Sequence, residues 1–95
     1  FGEADALDRF GSLAVAAFVE ALAHEDADIR AWAAQSLGQI GQPHAVPALV
    51  ARLDDTEALI MQAGERVCDV VAQSLERIDT EAAQQAVQQW REQTS

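Results

Sequence analysis

Few side chains in this sequence are suited to metal binding. The possible zinc ligands His24, His44 and Cys68 are scattered singly, without the C-x-x-C or H-x-x-x-H spacing that a tetrahedral site needs. Cys68 is the only cysteine, so no disulfide framework can hold the chain together, and a reducing compartment such as the cytoplasm is expected. We therefore expect neither a metal nor any other cofactor.

The candidate nucleophiles are also better explained by packing. Ser36 and Ser74 recur at equivalent positions of two predicted helices and have no histidine in the motif, so close helix packing explains them better than nucleophilic catalysis. Cys68 near a helix amino end could have a lowered thiol pKa. However, Glu65 and Asp69 flank it and oppose that shift. A small buried packing residue is the expected role of Cys68, and a noncatalytic protein is the expected class.

Composition and charge exclude further classes. The 95 residues carry 16 acids against 6 basic residues, for a net charge of −10 and a pI near 4.3. No basic cluster exists to bind phosphates, so nucleic acid is not expected as a ligand. No apolar run approaches the roughly 18 residues of a membrane span. The length allows one small domain over residues 1–95.

The elements that must position these residues are two copies of one amphipathic helix. Apolar or small residues at helical spacing in the first copy each recur 38 residues later in the second, and Ala34-Gln35-Ser36 recurs as Ala72-Gln73-Ser74. The paired residues are Ile29, Trp32, Ala33, Ser36, Leu37 and Ile40 in the first copy, and Val67, Val70, Val71, Ser74, Leu75 and Ile78 in the second. We predict that both copies turn this stripe inward. The two tryptophans, Trp32 and Trp90, are expected in the core, although an exposed edge of either could serve as a binding hot spot.

A second stripe precedes each copy and gives a second helix type. It recurs three times with the spacing i, i+3, i+4, i+7, at Val15, Phe18, Val19 and Leu22, at Val46, Leu49, Val50 and Leu53, and at Ala83, Ala86, Val87 and Trp90. The sequence therefore predicts an all-α fold with about five to six helices, near 3–10, 13–23, 27–40, 43–53, 65–78 and 80–92.

Capping residues divide the chain into units. An aspartate, Asp26 or Asp28, is expected to cap the helix at 27–40, Gly41 to end it, and Asp79 to take the place of Gly41 in the next unit. This predicts a partial unit over 1–10, units over about 11–41 and 42–79, and a terminal half unit over 80–95. The glutamines of the last helix suit a terminal capping helix with one solvent-exposed face. The amino end, which starts at Phe1, is expected to be cut or processed.

Seven extra residues after Leu53 form the most informative irregularity. The stripe that begins at Val15 recurs at Val46, after 31 residues, but the helix that carries Leu37 recurs after 38, which places an insertion within residues 54–64. We call residues 54–64 the insertion. One interpretation is that its apolar triplet folds back onto the helices as a lid or a short extra helical turn. The other is a contact for a protein partner. The candidate partner-binding residues are Asp54, Asp55, Glu57, Leu59, Ile60 and Met61.

The run from Asp28 to Asp55, D-I-R-A-W-A-A-Q-S-L-G-Q-I-G-Q-P-H-A-V-P-A-L-V-A-R-L-D-D, resembles the short bacterial HEAT-like repeat, often called the phycobilin-lyase type. The resemblance implies a right-handed α-α superhelix, a short HEAT-like solenoid, whose usual role is to bind other proteins along its concave face. It also implies a ladder in which Arg30 stacks with Asp26, Asp28 or Asp55, interrupted at the second unit because Cys68 stands in place of the arginine.

Other members of the family suggest chemistry that these residues do not support. Iron-binding His-Glu pairs of HEAT-repeat deoxyhypusine hydroxylases resemble His24-Glu25, but the family's pairs fall at positions occupied here by Ala31 and Trp32. His24 and Glu25 lie instead in a predicted turn, where polar residues are ordinary. We therefore do not carry the enzyme activity over to this chain.

The sequence leaves several roles open. The first is a noncatalytic interaction or scaffold module whose partner is another protein or another domain of the same polypeptide. The alternatives are an accessory, bilin lyase-like subunit of an enzyme system and a structural capping segment of a longer repeat array. Acidic residues of the inter-helix turns are expected to gather along one edge, for capping and solubility or for a basic partner. They are Glu25, Asp26, Asp28, Asp54, Asp55 and Glu57.

Overall fold

A computed structural model of the chain describes residues 13–94. These residues form helices joined by turns, with no strand in the described range beyond one isolated bridge, which confirms the all-α helical repeat fold. The helix expected near 3–10 and the partial unit 1–10 lie outside the described residues. The helices are α1, described over 13–21, then α2 (Ala27–Ile40), α3 (Val46–Val50), α4 (Val67–Ile78) and α5 (Glu81–Thr94).

The helix ends follow the predicted capping residues. The Asp26 carboxylate accepts a hydrogen bond from the Asp28 amide at 2.9 Å and caps α2. Gly41 ends α2 in the left-handed region, with φ of 75°, and its amide donates to the Leu37 carbonyl. Asp79 ends α4 in the same conformation, with φ of 58°, so it does take the place of Gly41.

The third helix is shorter than the sequence predicts. A 3-10 turn, Pro43–Ala45, leads directly into α3, which ends at Val50 rather than near residue 53. Beyond Val50 the chain continues in tighter turns, with the Leu53 amide donating to the Val50 carbonyl at 3.1 Å. Leu53 is nevertheless buried, as its place in the stripe predicts.

The core lies between α2 and α4, which pack side by side. Leu37 and Leu75, the equivalent leucines of the two copies, are both fully buried. The helices approach closely where Gly38 faces Ser74, because a β-carbon on Gly38 would lie 2.8 Å from the Cα of Ser74. Ser74 satisfies its buried hydroxyl by donating to the Val70 carbonyl at 3.0 Å. Close packing is therefore the role of Ser74.

The predicted stripe is right for α4 and partly wrong for α2. Five of the six members of the α4 stripe are buried, namely Val67, Val70, Val71, Ser74 and Leu75. In α2, by contrast, Trp32 and Ile40 are exposed, and the buried face consists of small residues with Arg30 and Leu37. The reason is that α4 approaches the alanine and glycine face of α2, which turns the larger side chains of the predicted stripe outward. Val50 of α3 is likewise exposed rather than buried.

The last helix covers α3 and α4 with one face. Ala83 and Val87 are buried and Trp90 is half-buried, so α5 packs through the predicted stripe. The Ala83 amide donates to the Thr80 hydroxyl at 3.1 Å, which caps the helix. The glutamines lie on the exposed side, as expected for a helix with one wet face: Gln84, Gln85, Gln88, Gln89 and Gln93.

Candidate functional site

The insertion forms an irregular hairpin at one end of the helix bundle. Ala58 and Arg66 form an isolated antiparallel bridge. The Leu59 amide donates to the Glu65 carbonyl at 3.0 Å. Gly64 closes the turn with φ of 87°, a conformation that favours glycine. The insertion is therefore not the extra helical turn that one interpretation expected, and its outermost part is a tip formed by residues 60–64.

Arg30 ties the base of this hairpin to the turn that follows α1. Its Nε lies 2.8 Å from Asp55 Oδ2 and its Nη2 lies 2.9 Å from Glu57 Oε1. Its Nη1 donates to the carbonyl oxygens of His24 and Glu25 at 2.8 and 3.0 Å. Burial lowers the pKa of Arg30, but the hydrogen bonds and charges of Asp55 and Glu57 outweigh it and raise that pKa above its usual value. Arg30 thus pairs with Asp55, one of the three expected partners, and with Glu57.

The tip is attached to α2 by a second contact. Both carboxylate oxygens of Asp28 accept backbone hydrogen bonds, from the Ile60 amide at 3.3 Å and from the Met61 amide at 3.0 Å. Just before the tip, Leu59 is buried in the core at 6% exposure. Because the backbone is held on both sides of the exposed residues, the tip is ordered by its surroundings and not only by its own sequence.

Three large apolar side chains remain exposed beside this attachment. Ile60 is 88% exposed, Met61 is 83% exposed and Trp32 is 57% exposed. Trp32 follows Asp28 by one helical turn on the same face of α2. Its ring packs edge-on against Phe18, with centroids 5.1 Å apart. We call Trp32, Ile60 and Met61 the tip surface.

An acidic cleft opens between the turn before α2 and the insertion. Its volume is about 350 Å³. Four carboxylates and one imidazole line it, together with small apolar residues and Ile60. We call this the acidic cleft, lined by His24, Glu25, Asp26, Ala27, Asp28, Glu57, Ala58 and Ile60. Four of the six acids expected along one edge therefore line this cleft, and a fifth, Asp55, shares Arg30 as a partner with Glu57.

The candidate residues of the insertion take different places. Ile60 and Met61 are exposed, but Leu59 packs into the core, which corrects the expectation that the whole triplet is available to a partner. The bonds from Asp28 to the tip backbone leave the side chains of Ile60 and Met61 in solvent. Asp55 is engaged by Arg30 and largely covered, whereas the Glu57 side chain is 58% exposed.

Asp54 belongs to a second cleft, on the other side of the insertion. This cleft of about 490 Å³ lies between α3 and α5, and Asp54, Arg66, Cys68 and Trp90 are among its lining residues. Arg66 pairs with Asp69 at 3.2 Å within its own helix turn, so the expected ladder stops at Arg30. Cys68 is 1% exposed, and burial raises the pKa of its thiol. Cys68 is therefore the buried packing residue that the sequence predicts, without the lowered pKa of a reactive thiol.

The apolar stripe placed Trp32 in the core, with an exposed edge only as the alternative, whereas the side chain is 57% exposed. The signal was present: Asp28, Trp32, Gln35 and Gln39 follow the spacing i, i+4, i+7, i+11 of one helix face, and three of the four are polar. That spacing places Trp32 on the polar side of α2. The apolar pattern alone assigned it to the opposite side because most of the intervening residues are alanine.

The described residues also limit what else the site can hold. Within residues 13–94, no group of three His, Cys, Asp or Glu side chains is placed to bind a metal ion. No helix in that range is long and apolar enough to cross a membrane.

Comparison with known proteins identifies the repeat. No curated protein and no solved structure matches the chain. The family model for HEAT repeats matches residues 4–67. This range includes α1 as described, α2, α3, the acidic cleft and the whole insertion. HEAT repeats generally mediate protein–protein interaction or scaffolding and are typically noncatalytic. Since this match extends over more than half of the 95 residues and agrees with the paired helices described above, the chain belongs to the family of HEAT-repeat proteins.

Proposed function

We propose that this chain is a noncatalytic protein-interaction module that contacts its partner through the tip surface, Trp32, Ile60 and Met61. The partner is another protein or another domain of the same polypeptide. The observation that carries the proposal is the exposure of Ile60 and Met61, 88% and 83%, on a hairpin whose backbone is tethered to α2.

Two physical arguments favour binding over a purely structural role. Exposed aliphatic side chains beside a tryptophan are costly to leave in water, and contacts with a partner remove them from it. A tethered tip also loses less conformational entropy on binding than a free loop does. A methionine in such a patch adapts its shape to the partner surface.

The tip can be tested without disturbing the core. The variant Ile60→Asp/Met61→Asp places two charges on the tip surface, while the tethers act through backbone amides and through Leu59, which stay in place. Affinity capture from lysate, with quantification of each retained protein, is expected to show loss of specific partners relative to the unchanged chain. Thermal melts should show the same midpoint for both.

A matched control adds the same charge far from the tip. Ala82→Asp/Gln85→Asp substitutes exposed residues at the start of α5. The insertion joins the first residue of α4 and α5 begins after its last, so the length of α4, about 18 Å, separates the two. This control should retain the same partners as the unchanged chain. Equal retention by the tip variant, the control and the unchanged chain would show that the tip surface is not the contact.

A further inference from the structure

We infer that the partner presents a cationic side chain, from arginine or lysine, beside an aliphatic one, so that the cation enters the acidic cleft while the aliphatic group packs on Ile60 and Met61. This inference rests on the proposed function and adds the chemistry of the partner. Neither the repeat family nor the composition specifies that chemistry.

The charge of the cleft is not balanced from within. Four carboxylates line the cleft, those of Glu25, Asp26, Asp28 and Glu57, and its lining residues include no arginine. The nearby guanidinium of Arg30 pairs with Glu57 and with Asp55. The Nε, Nη1 and Nη2 atoms of Arg30 all donate to protein oxygens. His24 Nδ1 accepts a hydrogen bond from the Asp26 amide at 3.0 Å, so this nitrogen is engaged within the turn. An excess of negative charge therefore faces the cleft.

Acceptor capacity also remains on the carboxylates. Each carboxylate offers about four acceptor positions. The two backbone amides that reach Asp28 use one position on each of its oxygens. Glu57 gives one oxygen to Arg30 and keeps a side chain that is more than half exposed. A guanidinium or ammonium group entering the cleft would find oxygens from more than one carboxylate.

The size and the position of the cleft restrict the ligand. Its volume of about 350 Å³ is that of roughly ten water molecules, enough for the head of one long side chain but not for a folded element. Ile60 lines the cleft and is also part of the tip surface, so a segment that reaches the carboxylates passes over the apolar tip. A cation adjacent to an aliphatic residue fits both surfaces at once. Nucleic acid and anionic lipid do not, because their phosphates would be repelled.

Selection from a display library of short randomised peptides tests this chemistry. Peptides are retained on the unchanged chain and counter-selected against Ile60→Asp/Met61→Asp. The peptides that pass should be enriched in Arg or Lys next to Leu, Ile, Val or Met. Affinity for a synthesised peptide of the selected sequence should fall about tenfold in Glu25→Gln/Glu57→Gln. This variant removes two charges, and the amide oxygen at position 57 can still accept from Arg30.

A control pair and a salt series separate this effect from net charge. Glu76→Gln/Glu81→Gln removes the same two charges from exposed positions outside the acidic cleft and should leave the affinity within twofold, about 0.4 kcal/mol. Affinity should also weaken as salt rises, since the screening length falls from about 10 Å at 0.1 M to about 3 Å at 1 M.

The two proposals fail on different results. Selected peptides without an excess of Arg or Lys, or equal losses in the cleft and control pairs, would overturn the cationic partner while the tip surface stands. A library that yields no peptide able to distinguish the chain from its tip variant overturns this inference as well. The proposed function fails separately, if lysate capture does not depend on Ile60 and Met61.

Discussion

Arg30 is the residue on which the architecture of the site depends. Its guanidinium binds two carbonyl groups of the turn before α2 and two carboxylates of the insertion, and its side chain is about 10% exposed. The planar fork of arginine suits this set because its donors point in several fixed directions. One side chain thus joins the turn before α2 to the insertion.

Substituting Arg30 by alanine should lower the free energy of unfolding by about 2 to 4 kcal/mol, since it leaves the largely covered Asp55 carboxylate unpaired. Arg30→Lys should recover less than half, because one ammonium cannot reach all four acceptors. Urea unfolding followed by circular dichroism measures both. Arg77→Ala, an exposed substitution in α4, should stay within about 0.5 kcal/mol. An equal effect of Arg30→Ala and Arg77→Ala would contradict the role given to Arg30.

Cys68 should be slow to react in the folded chain. Burial raises its thiol pKa above the usual 9.0, so the thiolate fraction at pH 8 is lower than in the unfolded chain, and the sulfur is covered. A chromogenic thiol reagent should modify the native chain more than about tenfold more slowly than the urea-unfolded chain. The thiol's contribution to stability is present below pH 9 and falls as the pH rises through the raised pKa. Equal rates in the two states would contradict the burial of Cys68.

At the scale of the elements, α2 and α4 are equivalent helices that meet through small residues. Gly38 and Ser74 bring their backbones together, while Leu37 and Leu75 fill the space alongside. The insertion is attached to this pair rather than to α3, since its tethers reach Asp28 and Arg30 of α2 and its last bonds join the start of α4. The hairpin is therefore an outgrowth of the α2 and α4 layer.

Gly38→Ala should destabilise the protein by about 1 to 3 kcal/mol, because the added β-carbon would lie 2.8 Å from the Ser74 backbone, where no change of rotamer relieves it. The gain in helix propensity from glycine to alanine, about 1 kcal/mol, is opposite in sign and smaller. Thermal and urea unfolding measure the change. Gln39→Ala, its exposed neighbour in α2, is the control and should be close to neutral. A stabilised Gly38→Ala variant would mean that the two helices lie further apart.

At the scale of the whole molecule, stability is built between neighbouring helices. A single helix pair cannot bury its stripe, and each pair relies on the next to cover it. The last cover in the described chain is α5, whose Ala83 and Val87 are buried against the preceding helices. The acidic cleft and the tip surface lie at the opposite end of α4 from the start of α5, whereas the last turns of α5 return toward the insertion, where Trp90 and Gly64 line another cleft together.

Removing α5 should therefore cost more stability than its polar composition suggests. A chain that ends at Asp79 loses the burial of Ala83, Val87 and the covered part of Trp90, and should be less stable by more than about 3 kcal/mol. Circular dichroism and urea unfolding compare it with a chain that ends at Glu92, which loses only polar residues and should match the full chain. Equal stability of both shortened chains would show that α5 is not part of the core.

The sequence by itself determined the repeat, the helix type at each position and most helix ends. These depend on local chemistry: the 38-residue recurrence, the cap at Asp26, and the left-handed turns at Gly41 and Asp79 are all readable from neighbouring residues. Only the tertiary structure decided which face of α2 is buried. An alanine-rich helix offers several apolar faces, and the one that is covered depends on a helix about 38 residues away.

The division of the insertion was decided in the same way. Leu59, Ile60 and Met61 are equally apolar, yet the bonds from Asp28 and the bridge between Ala58 and Arg66 leave Leu59 inside and its two neighbours outside. The partners of Arg30 also lie 25 and 27 residues further along the chain. Contacts at such separations depend on how the helices pack, and no local pattern in the sequence records that.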